Sequence, residues 1–243
     1  MQGRIWGRIS VWAAALLAVT VGAAAVLHAP AIPSVAENGK YVALSFDDGP
    51  SPLTTPKLLD GLKERGAHAT FFVLGTEAEG REELLRRMAE EGHQIGQHTY
   101  SHRRLDTLSD TEVKEELART NRILEAALGE GDYWIRPPYG MMKPEQYALA
   151  DSALITWSVD PEDWKRRNAD TVTQAVLKTV KSGDIVLLHD IYESTVEAAL
   201  RIADALQEEG YTLVTVRELM ERYGVTPKAG ELYRAPELPG RGW

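Results

Sequence analysis

Beyond residue 40 the chain alternates between short apolar runs and longer segments with helical spacing, and this alternation limits its folds more than any other feature. Tyr41–Phe46 is a strand-like run that stops at the turn formers Asp47-Asp48-Gly49-Pro50. Pro56–Arg65 carries leucines at 58, 59 and 62, on one face of a helix, and stops at Gly66. Further strand-like runs are Ala69–Val73, Gln94–Gln97, Tyr133–Arg136, Leu154–Val159, Asp184–His189 and Tyr211–Val214. Helical patterns fall between and after them at Arg81–Glu91, Asp110–Leu128, Lys143–Asp151, Asp170–Lys181, Ser194–Glu209 and Val216–Arg222. Ser109, with Glu112 three residues on, predicts a capping box at the start of the second of these.

Strands joined by helical crossovers run parallel, because a tight turn can only return the chain antiparallel. The outcome is a barrel or a doubly wound sheet. About seven strands, with no Gly-rich phosphate loop after the first, favour an incomplete (β/α) barrel of the α/β class. Residues 37–223 then form one domain, and 224–243, with three prolines and four glycines, are expected as an extended tail on its surface.

Hydrophobic residues at 44% and charged residues at 26% exclude a disordered, collagen-like or multi-spanning membrane chain. The net charge of −9 argues against nucleic acid as a partner, since phosphate binding needs a basic surface. Cysteine is absent, so any metal must be held by His and carboxylates. Residues 1–36 read differently from the rest: Arg4 and Arg8, an apolar run from Val11 to Leu27, a Pro-containing stretch, and no acidic residue before Glu37. This is the layout of a secretory leader, with Ser34-Val35-Ala36 as a cleavage site, or of an N-terminal membrane anchor. Either places the remaining domain outside the cytoplasm.

In (β/α) barrels the chemistry sits where strands end. The residues there are Asp47 and Asp48 after the first strand, and His98 and His102 after the third. Arg136-Pro137-Pro138-Tyr139 closes the fourth, Asp160, Asp163 and Trp164 follow the fifth, and His189-Asp190 ends the sixth. Two imidazoles four apart, on a helical turn, share a face and can reach one cation. A carboxylate from another strand end would complete a His/His/Asp set with open positions, as in catalytic zinc sites and in non-haem iron oxygenases. Asp47 as a spare base and His189 as a spare acid favour metal-assisted hydrolysis, because an oxygenase has no use for that pair. His28, His68 and His93 sit in the leader and at helix ends and are given no role.

Ser45-Phe46-Asp47-Asp48-Gly49-Pro50, His98–His102, Arg136–Tyr139, Asp160–Trp164 and Leu187-Leu188-His189 together resemble the five ordered motifs of the polysaccharide deacetylases, which carry the NodB homology domain and form carbohydrate esterase family 4. The resemblance covers residues 40–222, with Ser45 in place of the commoner Thr. It implies a distorted (β/α) barrel and one divalent metal, zinc foremost with cobalt or nickel as alternatives, on Asp48, His98 and His102. Asp47 would be the base, Arg136 its orienting partner, His189 the acid and Asp163 the group that keeps His189 protonated. The backbone N–H of Tyr139 would help hold the oxyanion. Trp164, Leu187, Pro138 and Tyr139 would wall the acetyl pocket. The implied partner is an N-acetylated glycan: N-acetylglucosamine of peptidoglycan first, given an exported enzyme, then chitooligosaccharide or exopolysaccharide, then acetylated xylan. Members acting on N-acetylmuramic acid often lack the second Asp of the first motif, so Asp48 leans toward N-acetylglucosamine. A small-molecule amidase and an inactive wall-binding barrel are the rival readings, and a monomer is expected.

Overall fold

The computed structural model describes residues 39–236, so the leader or anchor expected at 1–36 lies outside the described residues. The chain runs through β1 (Lys40–Asp47), α1 (Thr55–Glu64), β2 (Thr70–Val73), α2 (Gly75–Ala78), α3 (Glu82–Glu90), β3 (Gln94–Gln97) and α4 (Asp110–Leu128). It continues with β4 (Leu154–Ile155), α5 (Asp163–Arg166), α6 (Ala169–Thr179), β5 (Ile185–His189), α7 (Glu193–Glu208), β6 (Tyr211–Leu213), α8 (Val216–Arg222) and β7 (Leu232–Tyr233). Every strand pairing is parallel, with β3-β2-β1-β5 in order and β6 on the first half of β1. No described helix is long and apolar enough to cross a membrane.

The sheet curls round through single bridges. Gln97 at the end of β3 bridges to Ile135, Ile135 to Leu154 of β4, and Val159 to Val186 of β5. The expected fourth strand, Tyr133–Arg136, is thus reduced to the bridges at Ile135, since Pro137 and Pro138 have no N–H with which to extend a ladder. The expected fifth, Leu154–Val159, breaks after Ile155 because its two ends serve different partners: 154–155 lies between Ile135 and β7, and Val159 bridges to β5. Residues 144–149 form a short 3-10 segment in place of the expected helix. The tail contributes β7, paired with β4, instead of only lying on the surface. Ser109 and Glu112 form the expected capping box, and Thr215 with Glu218 forms a second.

Period-two alternation divides the core. Val42, Leu44 and Phe46 of β1, with Phe71 of β2 and Val186 and Leu188 of β5, pack under the helices against Leu58, Leu59 and Leu62 of α1 and Ile202 and Leu206 of α7. Their alternates, Ala43, Phe72 and Ile185, face the barrel interior with Trp134, Ile155 and, from α8, Leu219 and Met220. By the same alternation Asp47, Leu187 and His189 continue the interior face to the C-terminal end of β1 and β5, where polar chemistry can meet solvent.

Candidate active site

Register brings Asp47 of β1 directly beside His189 of β5. Asp47 is buried, and its Oδ1 accepts a 2.7 Å hydrogen bond from Nη1 of Arg136, which is fully buried too. Arg136 also donates to the carbonyls of Ile155 and Thr156, and its guanidinium lies 4.0 Å from the centre of the Phe72 ring. The Arg136 side chain is thereby fixed on all sides, which suits it to hold a carboxylate at one angle. Burial raises the Asp47 pKa above the usual carboxylate value, with Arg136 and His189 pulling it back. A carboxylate tuned upward by burial and held by a fixed cation is suited to accept a proton.

His98 Nδ1 lies 2.6 Å from the Arg136 carbonyl oxygen. A carbonyl can only accept, so the ring proton sits on Nδ1 and Nε2 carries the lone pair. Burial drives the His98 pKa down to about 3 against the pull of Asp48, so the ring is neutral. Its Nε2 faces Asp48 Oδ1 at 3.7 Å, and His102 Nε2 is 3.3 Å from the same oxygen. Asp48 Oδ1 is buried without a hydrogen-bond partner. A carboxylate oxygen facing the lone pair of a neutral imidazole needs a cation between them, and the three ligand atoms lie within 4.8 Å of one another. The His98 Nδ1–carbonyl contact is the orienting bond that metal-ligating histidines ordinarily have. The donor set therefore fits a divalent metal. The two histidines do not converge on a helical turn as their spacing suggested. Thr99 (φ 67°) and His102 (φ 60°) take left-handed conformations and fold the segment into a tight non-helical turn.

Across the cavity, His189 Nδ1 is 2.8 Å from Oδ1 of Asp163, the first residue of α5. The other Asp163 oxygen accepts from His189 N and from Thr195 Oγ1, both at 2.8 Å, and the carboxylate is wholly buried. Burial disfavours the imidazolium, but the hydrogen bond and charge of Asp163, with Asp47 and Asp48, outweigh it and raise the His189 pKa to about 9. At neutral pH His189 is a cation able to give up a proton from Nε2.

A cavity of about 340 Å³ joins these groups, lined by Asp47, Asp48, His98, His102, Tyr139 and His189, with Leu187 and Trp164. Pro138, expected as a wall, is buried and does not line the cavity; it shapes the turn that presents Tyr139. The Tyr139 ring is exposed and stands 4.8 Å from the His102 ring, centre to centre. Sequence reasoning missed Trp157, which lines the cavity and flanks Arg136, and gave Asp160 no role although it lines the cavity too. Nor did it use Asp190, which is fully buried, is hydrogen-bonded by Thr55 Oγ1 and has its pKa raised to about 7 by burial. Its place directly after His189 was the signal.

Among the described residues, non-glycine positive φ occurs at Asp48, Thr99, His102, Tyr139, Glu162 and Arg167. All six belong to the segments that carry the cavity's ligands and walls. Backbone held in this region costs on the order of 1–3 kcal/mol per residue, and such strain gathers where a site must be pre-organised.

The model of the family described as "Polysaccharide deacetylase" matches residues 34–157, just over half the chain. The chain is 41% identical over 196 residues to the peptidoglycan-N-acetylmuramic acid deacetylase PdaC of Bacillus subtilis, covering 81% of this chain and 42% of PdaC. It is 40% identical over 204 residues to the peptidoglycan-N-acetylglucosamine deacetylase PgdA of Listeria monocytogenes, covering 84% and 43%. The chain thus spans well under half the length of these two curated relatives. A solved structure of PdaC superposes with a TM-score of 0.75 at 42% identity, covering 77% of this chain and 93% of that one. The motifs, the parallel barrel and these likenesses agree, and the chain belongs to the polysaccharide deacetylases of carbohydrate esterase family 4.

Proposed function

We propose that the chain hydrolyses the N-acetyl group of a wall glycan, releasing acetate and leaving a free amine on the sugar, with N-acetylglucosamine of peptidoglycan as first substrate. What supports this most directly is that a fixed base, a charged acid and a cation-ready ligand set border one cavity wide enough for an acetamide. Asp48, His98 and His102 would hold the divalent metal, zinc foremost, which supplies Lewis acidity to the water and the amide carbonyl. Asp47, aimed by Arg136, accepts the proton of water as its oxygen adds to the carbonyl carbon. The backbone N–H of Tyr139 holds the carbonyl oxygen as it gains charge. His189, kept protonated by Asp163, gives its proton to the nitrogen as the C–N bond breaks. Leu187 and Trp164 enclose the acetyl methyl, and their apolar surface excludes bulk water from the reacting carbon. The domain acts outside the cytoplasm as a monomer, cleaved from residues 1–36 or anchored through them.

The name of PdaC gives N-acetylmuramic acid a specific claim as the alternative sugar. The test is acetate release by zinc-loaded residues 37–243 from peptidoglycan and from N-acetylglucosamine oligomers, with digested wall fragments weighed to locate each new amine. Metal-dependent acetate with amines on glucosamine is expected. Amines on muramic acid alone would move the substrate, and no acetate from folded, loaded protein would end the glycan reading.

A further inference from the structure

The turn between the two histidines is held by residues that no motif contains. Its carbonyls are taken by the first amides of α2: Gly75 N donates to Thr99 O and Thr76 N to Tyr100 O, each at 3.0 Å. Only glycine permits that approach, because a Cβ at residue 75 would lie 2.5 Å from Tyr100 Cδ2 and 3.0 Å from its Cα. The amides of the turn are taken from the opposite side by one carboxylate. Glu116 of α4 is buried, and its Oε2 accepts from Tyr100 N at 3.0 Å and Ser101 N at 2.9 Å, while Oε1 accepts from Ser101 Oγ at 2.6 Å. One turn further along α4, the Arg119 guanidinium lies 3.4 Å over the Tyr100 ring.

We infer that Glu116 is a positioning residue for the metal site: it holds the 99–101 backbone in the left-handed turn that brings His98 and His102 to one cation. The turn cannot hold itself. Thr99 and His102 are both in a conformation that L-residues adopt reluctantly, and the N–H groups at 100 and 101 converge on one acceptor oxygen, which sets their like dipoles against each other. A single carboxylate bridging both N–H groups offsets that repulsion and leaves the two imidazoles nowhere else to go. Among the described residues the Glu116 carboxylate bonds only to Tyr100 and Ser101, and it does not line the catalytic cavity, so it acts on the site through the turn. This rests on the proposed use of His98 and His102 as ligands.

The test measures zinc affinity of the metal-free chain by competition with a chromophoric chelator, alongside the visible spectrum of the cobalt-loaded protein and the metal-free melting temperature. Glu116→Ala is expected to weaken zinc binding by about 10–100-fold and to alter the cobalt spectrum. Glu116→Gln is expected to stay within about threefold of wild type, because its carbonyl can accept both N–H groups and its amide can donate to Ser101 Oγ. Glu115→Ala, exposed on the same helix, should match wild type. A Glu116→Ala protein that melts earlier but keeps wild-type affinity and spectrum would show a purely structural role and overturn the inference. Should that variant not fold, Glu116→Asp replaces it, with the same two outcomes. Wild-type protein that binds no zinc would instead refute the metal reading on which this depends.

Discussion

Replacing Asp163 by Asn tests the acid half of the site without removing a side chain. The carbonyl oxygen of Asn can keep the two contacts of Asp163 Oδ2, to His189 N and Thr195 Oγ1, which turns its NH2 toward His189 Nδ1. That nitrogen must then accept, so the imidazolium loses its partner and the proton moves to Nε2 of a neutral ring. His189 stands at about 9 against an ordinary 6.5, a difference worth about 3 kcal/mol, and without the hydrogen bond and charge of Asp163 burial opposes Asp47 and Asp48 and brings the ring back toward the ordinary value. At pH 8 the protonated fraction falls from about nine-tenths to about 3%, a loss of about 30-fold, whereas at pH 6 the loss is under about twofold. A cation on the neighbouring ligands lowers both enzymes alike, so the quantity to read is the displacement between the two alkaline limbs. The assay is kcat/KM for acetate release from pH 5 to 10, with zinc-loaded wild type and variant. The alkaline limb should move toward acid by about 2.5 units. An equal loss at every pH, with the limb unmoved, would refute the assignment of His189 as the proton donor.

The same pair sets a stability trend, because a group whose pKa is raised in the fold stabilises it fully below the unfolded value. The metal-free protein should therefore hold its His189 contribution of about 3 kcal/mol below pH 6.5 and lose it as pH rises through 9, and urea midpoints of wild type against His189→Gln should converge over that range. Arg136→Ala takes from buried Asp47 its hydrogen-bonded cation and pushes its pKa further up; we expect a loss of about 3–5 kcal/mol in urea unfolding and an acidic limb of kcat/KM moved to higher pH. Asp48→Ala should bind zinc too weakly for activity, so that metal added after chelation restores wild type and not the variant, as acetate assays will read. A Cβ on Gly96 would lie 2.5 Å from the Trp134 carbonyl oxygen and 2.7 Å from the Phe72 ring, so Gly96→Ala should part β3 from the 134–136 segment and lower stability by about 1–3 kcal/mol, visible in thermal melts.

Much of the barrel was legible because parallel strands and their helices are written locally. The runs at 41–46 and 69–73 are largely apolar, as strands covered on both faces are, and each became a strand within a residue or two, while 94–97, with a glutamine at each end, was placed by its position between helical segments. The reading failed where the partner decides. The 133–136 and 154–159 runs look like any other, yet one meets prolines and the other changes neighbour midway. The two residues of β7 carry no strand signal at all and pair only because β4 offers an open edge. The ligand types at 48, 98 and 102 could be read from residue chemistry, but not the left-handed turn that joins the histidines, which depends on amides of α2 and a carboxylate of α4.

What the sequence determined alone is the kind of groups available and the end of the barrel at which they gather, because strand period and crossover direction are local properties. The tertiary structure decided which groups meet and what they are worth. Asp47 and Arg136 stand 89 residues apart, and His189 and Asp163 stand 26 apart. Whether His98 is neutral, His189 charged or Asp47 poised depends on how much water burial removes and which charge lies within hydrogen-bond reach. Those quantities belong to the space around a side chain, and that space is filled by residues from distant parts of the chain.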